Sequence, residues 1–193
     1  MFRIIAKIKK KVRYELNKIV QPQMVWGFER FDGLYLKKTR ISNTTYLGNK
    51  ESLVIEDNVF IGHYNFIDAS NIIKIKEGCQ ITNFVSILTH SSHISIRLYG
   101  KEYTNFSNLK GYLKGDVYIG EYSFIGPHSL IMPNTKIGKG CIVTAYSNVK
   151  GQFSDFSIIS GNPAKVVGDT RKLDESYLNE YPDLQKFYDR CME

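Results

Sequence analysis

The stretch LTHSSHISIRLYG (Leu88–Gly100) sets two imidazoles, His90 and His93, three residues apart in a chain with only four histidines. Imidazole titrates near neutral pH, so it can take or give a proton, and its neutral form can ligate a metal. Proton transfer needs one ring held by a carbonyl or carboxylate, and the sequence does not identify that partner. Metal ligation needs a third donor, for which His63 and His128 are the remaining histidines. Arg97, Tyr99, Tyr103, Phe106 and Tyr112 follow, and such aromatics either wall a pocket or form a loop's own small core.

What positions these residues is a period of six. Ile119, Ile125, Ile131, Ile137, Val143 and Val149 are spaced six apart, and Ser123, Ser129, Thr135, Cys141 and Ser147 stand four after the first five of them. Six residues rotate a helix by about 600°, so the aliphatics would scatter over its surface, whereas in extended chain an even step keeps them on one side. Gly120, Gly126, Pro127, Pro133, Asn134, Gly138 and Gly140 interrupt any long strand. The consistent solution is a coil of very short strands wound around one core. Ile55, Ile61 and Ile67 extend the series backwards, Ile75, Ile81 and Ile87 resume it after an eight-residue step, and Ile41 and Leu47 form an irregular beginning. Between Ile87 and Val117 the period stops, which predicts an excursion over about 88–116, a usual place for function on a rigid scaffold. His90 stands where the coil breaks, which favours a functional role; His93 reads as a supporting or loop-packing residue, and His63 and His128 as structural.

Length and charge narrow the alternatives. The 193 residues suffice for one core domain over 26–168 with appendages over 1–25 and 169–193. The net charge of +7 is concentrated: residues 1–20 hold seven cations against Glu15, while the remainder carries 19 basic and 18 acidic residues. General nucleic-acid binding is therefore not expected. The first segment spaces Phe2, Ile5, Ile8, Val12, Leu16 and Ile19 as an amphipathic helix. Such a helix covers an end of the coil, packs on a neighbouring subunit, or touches an anionic membrane. Leu173–Glu193 reads as one or two short helices interrupted near Pro182. Three unpaired-looking cysteines fit a reducing compartment, with Cys79 and Cys141 at inward small positions. No apolar run reaches the length of a membrane span, and no signal peptide is expected.

The repeats, the THSSH leaving the coil, the resumed IGEYSFIG and the closing SGNPAKVVG (Ser160–Gly168) together resemble the hexapeptide-repeat acyltransferases over roughly residues 50–170. The resemblance is to the branch with galactoside, maltose and surface-polysaccharide acetyltransferases. It implies a mainly β chain, a left-handed parallel β-helix with three hexapeptides per coil. The general right-handed preference of crossovers would suggest the opposite hand. It further implies a homotrimer, active sites between subunits and acetyl-CoA along the coil, with no metal. His90 matches the family's catalytic histidine. Asp68, in FIDASN, matches a position facing the acceptor, where it holds a hydroxyl or orients His90; Asn83, Ser86 and His93 are assigned to the same cleft. Gly126, Thr144, Ala145, Tyr146, Ser160, Gly161, Asn162, Pro163 and Ala164 match positions along the coenzyme, and Lys165 and Arg171 are candidate phosphate partners. Pro127 departs from the pattern, since it has no N–H to offer a thioester oxygen. The implied activity is O-acetylation of a saccharide hydroxyl in surface-polysaccharide synthesis, in the cytoplasm or at the inner face of its membrane. N-acetylation of an amino sugar, a γ-type carbonic anhydrase and a non-enzymatic scaffold are the rivals.

Overall fold

The computed structural model describes residues 2–192 and, within them, leaves the side chains of Phe2 and Ile19 of the predicted apolar stripe outside the described set. The chain opens with helix α1 (Phe2–Val20), then a hairpin of β1 (Met24–Glu29) and β2 (Tyr35–Ser42). From Ile41 onward it winds as a parallel β-helix with three faces. The first face stacks Ile41, Ile61, Ile81, Ile125, Val143 and Ile159 in register. The second stacks Leu47, Ile67, Ile87, Ile131 and Val149. The third stacks Ile55, Ile75, Ile119, Ile137 and Phe153.

These columns are the core. Most of their members are wholly buried, and one continuous apolar cluster runs the length of the coil. Small residues fill the corners: Val59, Cys79, Ser123 and Cys141 lie in one buried row and Asn65, Val85, Ser129 and Ser147 in another. The polar ones are satisfied by the neighbouring coil, as where Ser123 Oγ donates to the Gly138 carbonyl at 2.8 Å. Glycine after the inward aliphatic has a steric cause at Gly126, where a Cβ would meet the Ala145 nitrogen at 2.6 Å.

All irregular spacing falls at the edge between the second and third faces. Leu47 to Ile55 and Ile67 to Ile75 are eight-residue steps, and Ile87 to Ile119 is the long one. The predicted excursion leaves through His90–Ser91 and returns through Leu113–Lys114, which pair antiparallel as a clasp. Between them lie α2 (Ser95–Tyr99) and a 3₁₀ turn over Gly100–Asn105, with Tyr99 and Phe106 packed at 5.0 Å as a local core. The coil ends where Ser157–Gly161 turns back on Ala164–Asp169, followed by α3 (Thr170–Glu180) and α4 (Gln185–Met192), with the expected break at Pro182.

Cys79 and Cys141 are buried and free, and Cys191 is partly accessible. Burial pushes the Cys79 thiol up to about 12 and raises that of Cys141. Thiolate is the reactive form, so Ellman's reagent should titrate Cys191 alone in the native protein and all three thiols after unfolding. Rapid native reaction of Cys79 would contradict its place in the core.

Candidate functional site

The edge between the second and third faces carries His90. Parallel pairing sets Asp68 beside Leu88, one coil apart, so that His90 two residues later comes over the start of the turn after Asp68. His90 Nδ1 stands 2.7 Å from Asp68 Oδ2, with side chains 36% and 11% exposed. The ring N–H is not well aligned with the oxygen and neither atom has another hydrogen-bond partner, so the two stand in close approach, free to tighten into a hydrogen bond. Asp68 is held from its other side: Oδ1 accepts from Ser70 Oγ at 2.6 Å. Tyr112, on the returning arm, lies parallel to the His90 imidazole at 5.7 Å between ring centroids.

Thr89 fixes where the excursion departs. It is fully buried; its hydroxyl donates to the Asp68 carbonyl at 2.8 Å and accepts from the Asn71 amide at 3.0 Å. Its own carbonyl accepts from the Asn71 side chain at 3.0 Å and from the Gly115 amide at 2.9 Å. Asp116 Oδ1 accepts from the Ile72 amide at 3.1 Å, anchoring the return. An open depression of about 500 Å³ lies on the excursion, lined by Ser107, Asn108, Leu109, Tyr112 and Lys114.

The other assigned residues separate. Ser86 points outward on the second face, between Phe66 and Leu130, in the strand that leads to His90. His93 is exposed and bonds through Nδ1 to Ser91 Oγ at 2.7 Å, a loop contact. Asn83 lies at a different edge, between the first and second faces, where its Oδ1 accepts from the His63 amide at 2.7 Å. In this protomer it therefore does not join Asp68 and His90.

That edge gathers the residues assigned to the coenzyme. Gly126 and Thr144–Tyr146 form successive corners, and the closing turn is tied to them. Thr144 Oγ1 donates to Ser160 Oγ at 2.7 Å, the Gly161 amide to Ser147 Oγ at 3.2 Å, and Asn148 Nδ2 to Asn162 Oδ1 at 3.1 Å. Pro163 and Lys165 are exposed and Ala164 half-buried on the returning strand. Arg171 lies elsewhere. Its guanidinium is engaged by Asp169, holding that carboxyl down to about 2, and sits 4.9 Å from the Phe156 ring.

One feature of this edge escapes a reading by inward residues. Tyr64, Phe84, His128 and Tyr146 stack in a column with centroid separations of 5.2, 4.8 and 4.8 Å. All four take left-handed backbone angles, φ 58–59°. A side chain there costs roughly 1–2 kcal/mol, and each aromatic pair returns about 0.5–1.5 kcal/mol. Three such pairs against four strained residues offset only part of the strain. The signal was available: each stands three residues after a first-face aliphatic.

Residues 116–151 match the bacterial transferase hexapeptide family (six repeats). The chain matches it over 36 of its 193 residues, all within the coil. Its coil is a left-handed β-helix, against the usual crossover preference. The hexapeptide chain is 29% identical over 140 residues to a probable acetyltransferase of Mycobacterium tuberculosis, covering 68% of this chain and 44% of that one. It is 28% identical over 123 residues to a dTDP-4-amino-4,6-dideoxy-D-glucose acyltransferase of Escherichia coli, covering 61% of each. The chain thus spans about half the length of these curated relatives. Among solved structures, an N-acyltransferase of Bacillus cereus, in complex with dTDP and 3-hydroxybutyryl-CoA, superposes with a TM-score of 0.57 at 20% identity. That match covers 75% of this chain and 88% of the other.

Replacing Thr89 by valine keeps its shape but strands buried groups, so it should cost about 1–3 kcal/mol in chemical denaturation. Hydrogen exchange at the Asn71 amide should accelerate in the same variant.

Proposed function

We propose that the protein transfers an acetyl group from acetyl-CoA to a hydroxyl of a saccharide, with His90 as general base, in the assembly of a surface polysaccharide. The observation that carries this reading is the pairing of His90 Nδ1 with Asp68 at 2.7 Å. With that nitrogen turned to the carboxylate, Nε2 is the one available to a substrate. A sugar hydroxyl is a weak nucleophile at neutral pH, and a positioned base contributes about 10²–10⁴-fold. The hydroxyl oxygen bonds to the thioester carbonyl carbon as Nε2 takes its proton. The carbon–sulfur bond then breaks, and the proton passes to the departing sulfur. Asp68 is a positioning residue that holds the orientation of the ring.

The acyl donor fits the edge between the first and second faces, where Gly126, Thr144–Tyr146 and the Ser160–Ala164 turn converge. Lys165 is the nearby exposed cation; Arg171, already held by Asp169, is a poorer phosphate partner. Pro127 cannot donate to the thioester oxygen, so that donor must come from another group. The base and this turn stand on different edges of the second face. Packing of one protomer's turn beside a neighbour's His90 would complete the site, which supports a homotrimer. The outward columns are mixed: Phe60, Phe124, Ile142 and Ile158 alternate with Arg40 and Gln80 on the first face, Phe66 and Leu130 with Ser86 and Asn148 on the second, and Val54 and Tyr118 with Lys74 and Lys136 on the third.

A second reading, N-acylation of an amino sugar or its nucleotide, is favoured by the relatives, two of which are acyltransferases linked to a dTDP-amino sugar or to dTDP. The products separate the two. Esters are cleaved by hydroxylamine and amides are not, so acylated product from a panel of neutral sugars and amino-sugar nucleotides should be hydroxylamine-labile. A stable product formed only from amines would replace the first reading by the second.

His90→Ala should lower turnover at least about 100-fold while leaving the trimer intact by light scattering. Asp68→Asn should lower kcat with the KM for acetyl-CoA nearly unchanged. Wild-type turnover by His90→Ala would remove the histidine from its role.

A further inference from the structure

Helix α1 is a segment whose composition the proposed reaction does not use. Its apolar residues recur at steps of three and four, yet Ile5, Ile8, Val12, Leu16 and Val20 are 45–69% exposed. A stripe of this kind normally faces a core. The opposite arc carries Lys7, Lys10, Lys11 and Lys18, all exposed, with Arg13 on its flank; Lys9 interrupts the apolar side near Leu16 and Val20, and Glu15 is the single acid, partly neutralised by Lys18 at 3.2 Å. The chain just beyond repeats the pattern: Val25, Trp26, Phe31, Leu34 and Tyr35 of the hairpin are 49–66% exposed. No helix of the described residues is long and apolar enough to cross a membrane.

We infer that α1 docks in the plane of an anionic lipid surface. Its apolar stripe would enter the headgroup boundary while the cations meet lipid phosphates. Charge decides between this occupant and a second copy of the chain. Residues 1–20 carry seven cations against one acid, a net +6, whereas a second copy offers a body that is nearly neutral and a C-terminal segment, residues 169–193, with seven acids against four cations, a net −3 that matches only half of that charge. A bilayer surface presents a dense negative field, and each lysine or arginine near it contributes about 1 kcal/mol, roughly fivefold in partition. The exposed Trp26, Phe31 and Tyr35 are residue types that settle at such a boundary. Vesicle binding is read without any acyl transfer, so the docking and the reaction can each fail alone.

The test is sedimentation of the full chain with vesicles of phosphatidylcholine alone and of phosphatidylcholine mixed with phosphatidylglycerol, at low and high salt. Binding to the anionic vesicles should exceed that to the neutral ones by at least about tenfold and fall with salt. The triple variant Lys7→Gln, Lys10→Gln, Lys11→Gln should bind about 100-fold more weakly, and Ile8→Glu at least about tenfold more weakly. Glu15→Gln should bind tighter, about fivefold, an increase that misfolding would not produce. Equal binding to both vesicle types, no binding at low salt, or indifference to the triple variant would overturn the inference. So would lysine-dependent self-association in light scattering without vesicle binding, which would assign α1 to a second copy.

Discussion

A coil built from strands of two or three residues has no element that can bury its own apolar side. Each inward aliphatic is covered only by its counterparts in the coils above and below, at the roughly 4.8 Å spacing of paired strands. Ile61 is buried because Ile41 and Ile81 flank it, and Ile75 because Ile55 and Ile119 do. Register is therefore set by every coil at once. A lost methylene in one column is felt along it, at the cost of about 0.5–1.5 kcal/mol for Ile→Val in a packed core. The corner constraints follow from the same stacking: backbone approaches backbone closely enough that Gly126 admits no Cβ, and corner residues adopt left-handed angles to turn in a single step.

With both neighbours of an edge fixed, any extra residue must leave the coil outward. The edge between the second and third faces accepts all such additions, from the short bulges after Leu47 and Ile67 to the long excursion after Ile87. Asp68 and His90 sit at two of these departures on adjacent coils, which is what brings a carboxylate and an imidazole together. Thr89, buried between them with bonds to both coils, converts the stacking of the core into a defined origin for the loop. The site's geometry is inherited from aliphatic packing more than from the loop's own contacts.

The periodic part of this was open to a reader of the sequence, because inward residues announce themselves by type and spacing. The excursion was open too, as a gap in the rhythm. The partner of His90 was open only through the resemblance, which left Asp68 either holding a hydroxyl or orienting His90; spacing alone could not choose, since Asp68 lies more than twenty positions away and their contact depends on which edge absorbs the inserted residues. Grouping the aliphatics in threes would have revealed that all insertions share an edge. Asn83 shows the limit from the other side. It is much nearer to His90 along the chain than Asp68 is, yet it turns a different edge, and its side chain serves the His63 amide. Arg171 reads from sequence as a candidate phosphate partner, and only the fold shows Asp169 closing on it. The aromatic column stayed hidden because its members differ in type and face outward, where composition is loosely constrained.

The clasp formed by His90–Ser91 and Leu113–Lys114 has a broader consequence. Ile87 and Ile119 occupy successive places in the coil as though nothing lay between them. Everything beyond the clasp is thus an interchangeable module: its length and wording can drift, or be rewritten by an engineer, without displacing one methyl group of the scaffold that carries it.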